Sequence, residues 1–328
     1  MGLKNQLAAP PTALPIRPPA RHMPRRLALA AAFAVLLIGI EPYLLRDSLY
    51  WLSVATNANI LSLGSLGLWL MFSIGRTDIA QGAFAAIGGY TTAILSTRYG
   101  FSFWLCLPLS GLSAALIATL VGLPILRLRG VYFAMITLSL GEVTRLVALN
   151  GGAFTNGAEG FTGIPADPLL DGPMPLYLLS AALVLCGTLL VWRISTSRIG
   201  HVFRSLRQNE DLAASLGIDI VRYRIIAFAL ASGLGGLSGS FLAQSQQNIF
   251  PATYTLQDSI NFMLYCFLGG LEFVLGPVLG AYLLSFAFEL LAALQRYQAL
   301  LYGILMISVM LFLPNGLLSI RLRGGRGR

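Results

Sequence analysis

The apolar residues of this chain are gathered into ten long runs, and most of its basic residues stand at the ends of those runs. A helix needs about 20 mostly apolar residues to cross a bilayer. The runs fall at 27–45, 49–74, 79–97, 102–126, 130–149, 176–194, 223–243, 258–272, 274–294 and 298–314. Composition agrees: 56% of the 328 residues are hydrophobic and 11% are charged, whereas a soluble domain carries about 25% charged residues. The excess apolar surface has to face lipid, which excludes a soluble fold. The expected fold class is all-α, a polytopic membrane protein of about ten transmembrane helices (roughly 8–10). The run 79–97 is rich in Gly and Ala, and 258–272 is short. Either is a candidate for a re-entrant or broken helix, which a membrane accepts only where protein or a cavity shields the backbone.

Short loops rich in Lys and Arg stay in the cytoplasm. With the N-terminus inside and ten alternating spans, the cytoplasmic side receives Lys4, Arg17, Arg21, Arg25, Arg26, Arg76, Arg127, Arg129, Arg193, Arg198, Arg204, Arg207, Arg222, Arg224, Arg321, Arg323, Arg326 and Arg328, which is 18 of the 22 basic residues. The outer side keeps Arg46, Arg98, Arg145 and Arg296. Both termini are then cytoplasmic, 150–175 and 244–257 are external, and 195–222 is the longest cytoplasmic connection. Residues 1–26, rich in Pro and Ala, read as a disordered cytoplasmic tail. The run 27–45 has a signal peptide as its rival reading, but it lacks a small-x-small cleavage site and more spans follow, so it reads as a retained helix. Residues 27–320 form a single transmembrane domain, and 321–328 a basic cytoplasmic tail.

Several function classes drop out. Cys106, Cys186 and Cys266 lie in apolar runs without metal-ligand spacing and read as small hydrophobes. The net charge of +9 sits at span ends, as an orientation signal does, and not on a face that would bind nucleic acid. His22 and His201 stand outside the spans, and no constellation for an intramembrane enzyme assembles. Lys4 is the one lysine and no Gly-x-x-x-x-Gly-Lys-Ser/Thr exists, so the chain has no P-loop for nucleotide.

One charged stretch interrupts the apolar chain. RSLRQNEDLAASLGIDIVRYR (204–224) carries four arginines and three acidic residues. From Gly200, Val202, Phe203 and Leu206 through Ala213 to Leu216 trace an apolar stripe on one helical face. Arg204, Arg207, Glu210 and Asp211 lie largely elsewhere, Arg207 and Asp211 are spaced i,i+4, and Gly217 is a stop. The expectation is a short amphipathic helix over about 200–217, either lying in the headgroups or docking a cytoplasmic partner.

The stretch 200–243, GHVFRSLRQNEDLAASLGIDIVRYRIIAFALASGLGGLSGSFLA, resembles the cytoplasmic loop and following helix of branched-chain amino-acid ABC transporter permeases of the LivM type. Asp211-Leu212-Ala213-x-x-x-Gly217 resembles, in degenerate form, the Glu-Ala-Ala-x-x-x-Gly loop of bacterial importer permeases. AQGAFAAIGGYTTAIL (80–95), LPILRLRGVYFAMITLSLGEVTRLV (123–147), LGGLEFVLGPVLGAYLL (268–284) and LPNGLL (313–318) resemble further segments of it, in order, over roughly 50–320. Two places depart from the pattern: Arg76-Thr77-Asp78-Ile79-Ala80-Gln81-Gly82-Ala83-Phe84 replaces Leu-Ser-x-Gly-x-x-x-Phe, and Glu272 stands where a small or uncharged residue is expected. The resemblance implies a permease domain over 27–320 with a coupling helix, in the cytoplasmic (inner) membrane of a prokaryote. It implies a subunit that pairs with a second homologous permease, two cytoplasmic P-loop ATPase subunits and a soluble extracytoplasmic substrate-binding protein. It implies too that no cofactor binds this chain and that ATP is used by the partner subunits. Arg204, Arg207, Glu210, Asp211, Ala213 and Gly217 are the candidate ATPase-coupling residues.

Charges inside a bilayer mark function or pairing. Glu142 and Arg145, three apart on one helical face, either neutralise each other or line a route for a zwitterion. Asn57 and Asn59 in the second run, Thr91 in the Gly-rich run and Glu272 at a Gly-Gly break complete the candidates for the translocation pathway. Gly235 and Gly239 form a small-xxx-small face, while Gly88-Gly89 and Gly269-Gly270 mark breaks or close crossings. The competing reading is a stand-alone ion-coupled transporter using Glu142, Arg145 and Glu272; a structural membrane scaffold is the third.

Overall fold

The structure, a computed structural model, describes residues 48–292 together with 300, 303, 304 and 307. The expected span 27–45, nearly all of 298–314, and both tails lie outside the described residues. The described chain forms ten α-helices: α1 (Leu49–Ser73), α2 (Gln81–Tyr99), α3 (Phe103–Ile125), α4 (Val131–Asn150), α5 (Pro173–Thr196), α6 (Arg198–Gln208), α7 (Glu210–Ser215), α8 (Ile220–Gln246), α9 (Leu256–Gly269) and α10 (Gly276–Ala292). A single short antiparallel pair, β1 (Phe161–Thr162) and β2 (Asn248–Ile249), joins two of the connections. Among the described residues, five helices, α1, α3, α4, α5 and α8, are long and apolar enough to cross a membrane. The chain is a mostly helical, multi-pass membrane protein.

The connections sort into two ends, as alternating spans require. At one end, the basic end, Arg76 after α1 donates to the Leu128 carbonyl after α3, and Arg224 in the first turn of α8 donates to the Leu126 carbonyl at 3.1 Å. The Trp69 indole near the end of α1 donates to Leu271 O, between α9 and α10, at 3.0 Å. At the opposite end, Arg98 donates to the Ala153 carbonyl, Ser102 to Asp167 at 3.2 Å, and Phe161 pairs with Ile249.

Helix α8 is the axis of the bundle and packs against α1, α2 and α3. Its glycines permit that. A Cβ on Gly239 would lie 1.8 Å from the Ala85 carbonyl oxygen, and one on Gly88 would lie 2.0 Å from Gly236 O. Gly88-Gly89 is therefore a close crossing within an unbroken α2. With the backbones this near, small hydroxyls link the helices. Thr92 and Ser240 share a hydrogen bond at 2.6 Å, and Ser238 Oγ donates to Ile60 O at 2.7 Å. In lipid, such packing and polar links replace the hydrophobic drive between helices.

Two helices begin inside the bundle, and this bears on the site. Gln81, the first residue of α2, donates to Gly64 O at 2.8 Å and Ala231 O at 3.2 Å. Gly64 stands nine residues before the end of α1, about 14 Å at 1.5 Å per residue. The segment 74–80 thus turns back into the protein before α2 starts. From the opposite end, 247–255 does the same: buried Tyr254 donates to Gly239 O at 3.5 Å, seven residues inside the end of α8, about 10 Å. Irregular backbone at such depth has to be shielded and satisfied locally. Ile79 N donates to Thr137 Oγ1 at 3.1 Å, Ala80 N to Asp78 Oδ1 at 2.9 Å, and Thr255 N to Asp258 Oδ2 at 2.7 Å.

Replacing Gly239 by leucine places carbon where the Ala85 carbonyl sits and separates α2 from α8. Overpacking of this kind costs about 1–3 kcal/mol or more, so the detergent-solubilised protein should melt roughly 5 °C lower. Gly233→Ala, whose added carbon would meet nothing nearer than 3.4 Å, should leave the melting point in place. Thermal unfolding followed by size-exclusion fluorescence checks both.

Candidate functional site

The charged stretch folds as an elbow at the basic end. It is two helices and not one: Asn209 takes an extended conformation (φ −160°, ψ 108°) between α6 and α7, and its side chain caps α7 by accepting from Leu212 N at 3.0 Å. Sequence spacing alone did not show this break, because the apolar stripe continues across it. The inner face holds Phe203, Leu206 and Ala213, all buried, but the stripe ends there: Leu216 is 74% exposed and Leu212 59%. Gly217 closes the elbow in the left-handed region (φ 82°), which lets Ile218 N reach Ala213 O at 3.2 Å.

One carboxylate fixes the elbow to the bundle. Arg76 and Arg224 are 3% and 4% exposed, and burying two guanidiniums requires a counter-charge. Glu210 supplies it. Its Oε1 is 3.2 Å from Arg76, its Oε2 forms an ion pair with Arg224, and Arg129 stands 3.6 Å away. The same arginines hold the Leu126 and Leu128 carbonyls, and Arg76 lies over the Phe133 ring at 5.6 Å. A single side chain of α7 thereby joins the α1–α2 connection, the α3–α4 connection and the start of α8. Burial pushes the Glu210 carboxyl up, but Arg224, Arg76 and Arg129 outweigh it, so its pKa lies below the ordinary 4.5. Asp211 does not meet Arg207 as the i,i+4 spacing suggested; the break at Asn209 turns it to Arg129, at 3.5 Å. Arg204 donates to Ser195 O at 2.9 Å and tethers α6 to the end of α5. Arg207 is exposed. With Arg204 and Glu272 it borders a cavity of about 120 Å³ between α6, Trp69 and the α9–α10 connection.

A second cavity, about 210 Å³, lies between the inner starts of α2 and α9 and the middle of α4. Ile79, Leu138, Leu256, Tyr254, Ser259 and Glu142 are among its walls. The two helix starts touch through Gly82 N, which donates to Ser259 Oγ at 3.0 Å. Glu142 and Arg145 form the expected pair, with Arg145 Nε 3.0 Å from Glu142 Oε2. Glu142 is the twelfth of the 20 residues of α4, and its side chain is 48% exposed.

The structure does not gather the remaining pathway candidates. Asn59 bridges three helices: it donates to Ser180 on α5 at 3.0 Å and accepts from Tyr282 on α10 at 2.6 Å. Thr91 shares a hydrogen bond with Ser113 on α3 at 2.9 Å. Asn57 lies on the exposed face of α1. Arg76, Arg129 and Arg224 were legible only as orientation charges, since nothing in their spacing marks them as partners of Glu210. Ser259 and Tyr254 carried no signal at all.

Removing the carboxylate leaves two buried guanidiniums without a counter-charge. Breaking a buried pair this way costs about 3–5 kcal/mol, with the low end apt for a partly exposed partner. Glu210→Gln should therefore free the elbow while the helices stay inserted. A cysteine at Ala213, protected in the parent, should become reactive to a thiol reagent. A group with a lowered pKa stabilises above its ordinary value and loses that contribution as pH falls through the lowered one. The same cysteine should stay protected from pH 7 to about pH 5 and open only below the usual glutamate range of about 4.3.

Comparison with known proteins gives the family of the chain. A family model described as "Branched-chain amino acid transport system / permease component" matches residues 50–310. The chain is 31% identical over 308 residues to the high-affinity branched-chain amino acid transport system permease protein LivM of Salmonella typhimurium, covering 84% of this chain and 72% of that one. It is 32% identical over 293 residues to the protein of the same name from Escherichia coli, covering 81% and 69%. It is 25% identical over 297 residues to a probable branched-chain amino acid transport permease protein LivH of Methanocaldococcus jannaschii, covering 80% and 90%. No solved structure matches it. The chain belongs to the family of branched-chain amino-acid transport permease components.

Proposed function

We propose that this chain is one of two permease subunits that form the pathway of an ATP-driven importer for branched-chain amino acids in the cytoplasmic membrane of a prokaryote. Family membership carries the reading, and the elbow gives it a mechanism. The basic end is then cytoplasmic. The elbow turns Leu212 and Leu216 away from the bundle, an apolar face that suits a cleft of a cytoplasmic ATPase. Its inner side is bonded through Glu210 to the ends of three connections. Movement of the ATPase would reach α2, α4 and α8 through those contacts. In this reading ATP is bound and used by two such partners.

A second permease is supported by α4. Only Phe133, Thr137 and Ala148 of that helix are buried, yet Glu142 and Arg145 sit near its middle. A charged pair at that depth is costly against lipid, so another protein or a water-filled pathway covers this face. A soluble substrate-binding protein would dock at the opposite end, on the connections that carry β1 and β2.

The elbow also separates this reading from a stand-alone ion-coupled transporter, which has no ATPase to dock. Purification from solubilised native membranes should recover a P-loop ATPase and a second multi-span chain. Vesicles holding that complex and the binding protein should take up leucine only while ATP is hydrolysed, and dissipating ion gradients should leave the rate unchanged. Uptake by this chain alone, driven by an ion gradient and indifferent to ATP, would contradict the proposal.

A further inference from the structure

The geometry points to the 210 Å³ cavity between α2, α4 and α9 as a binding site for the zwitterion of an aliphatic α-amino acid, with the Glu142 carboxylate receiving its ammonium group. This inference rests on the importer reading and names a place within it.

Three observations carry it. The first is the cavity itself, which opens on the uncovered face of α4 where the two inward-turning segments meet. Its volume is below the roughly 300–1,000 Å³ of sites for drug-sized ligands and suits one small solute. The second is Glu142. Arg145 holds it by three hydrogen bonds and so fixes its orientation. A carboxylate has about four lone-pair sites, and Glu142 Oε2 accepts a single bond from Arg145. The ion pair therefore positions the carboxylate at the cavity wall without consuming it. The third is the character of the other walls. Ile79, Leu138 and Leu256 supply aliphatic surface, and Ser259 with the first turn of α9 supplies polar groups.

The first amides of a helix lie outside its own hydrogen-bond ladder, and a helix start favours an anion. Here two starts, those of α2 and α9, border one cavity, with a carboxylate on the facing helix; Asp78 and Asp258 already take the amides of Ala80 and Thr255, and Ser259 that of Gly82, so a ligand's carboxylate would meet the other first-turn amides. A ligand with a positive and a negative end on one carbon, and an aliphatic side chain, matches that distribution. A neutral sugar or a dicarboxylate does not. Discontinuous helices whose starts face a substrate's anionic group are a known way to build such a site in a membrane.

The test uses the complete complex with Ser259→Cys in a Cys186→Ser background, and L-leucine as the probe. A small thiol reagent should label Cys at 259, and leucine should slow labelling at least tenfold. 4-Methylpentanoate, which lacks the ammonium, and 3-methylbutylamine, which lacks the carboxylate, should each protect far less. Glu142→Gln should abolish protection, and Glu142→Asp should restore part of it, with assembly of the complex measured in parallel by size exclusion. The inference is overturned if leucine leaves the labelling rate unchanged, if Glu142→Gln protects as well as the parent, or if Glu142→Gln with Arg145→Gln restores protection. The last result would make the pair structural only. ATP-dependent leucine uptake by the parent is measured separately. Uptake without protection would sink the site alone, and protection without ATP-dependent uptake would sink the importer reading alone.

Discussion

Two arginines buried at the basic end of the bundle set the terms for everything around them. Arg76 and Arg224 lie where water does not reach, and one carboxylate, Glu210, pairs with both from α7. Neither guanidinium would be tolerated there alone. The need for a counter-charge dictates where the elbow docks, and the arginines' other bonds, to the Leu126 and Leu128 carbonyls, dictate what it docks upon. A surface helix lying in the headgroups would show none of this. The elbow is part of the bundle on one side and open on the other, which is the form a mechanical coupling needs.

Under the proposed function, a coupling would have a short route inward. The segment 74–80 begins beside the elbow and ends at the start of α2, at the edge of the interior cavity. Along it lie Arg76, bound to Glu210, and Ile79, bound to Thr137 of α4 and lining the cavity. A displacement of α7 would therefore act on the cavity through about five residues of irregular backbone, not through the full length of a helix. Close packing between α2 and α8 at Gly88 and Gly239 leaves little slack for that displacement to be absorbed.

The membrane-crossing pattern was readable because apolar length is a strong signal. All eight runs between 49 and 294 became helices, and the boundaries moved by a few residues only. The two runs read as weak, 79–97 and 258–272, are the two that start inside. Their low hydropathy and short length follow from polar groups needed to satisfy irregular backbone at depth, such as Asp78, Gln81 and the Thr255–Asp258 capping box. The elbow's position and its Gly217 stop were also readable. Its break was not, since Asn209 is a capping residue whose role shows only once Leu212 N is placed beside it. Nor was Glu210's partnership, because Arg76 and Arg224 are 134 and 14 residues away in sequence and their spacing encodes no contact. Asn59, Thr91 and Glu142 look alike in sequence as polar residues in apolar runs. Packing alone separates the two that join helices from the one that faces a cavity.

The central claim is that the elbow and the ends it grips move as one body. Distances between spin labels at Ser215 on the elbow and Arg127 on the α3–α4 connection, both exposed, test it in the assembled importer with and without bound ATP. If the proposed importer forms, the distance between these two labels should stay unchanged, while the distance from Ser215 to a label on the second permease should shift as the ATPases close. A Ser215–Arg127 distance that changes on ATP binding would show the elbow swinging free of the bundle, and would contradict it.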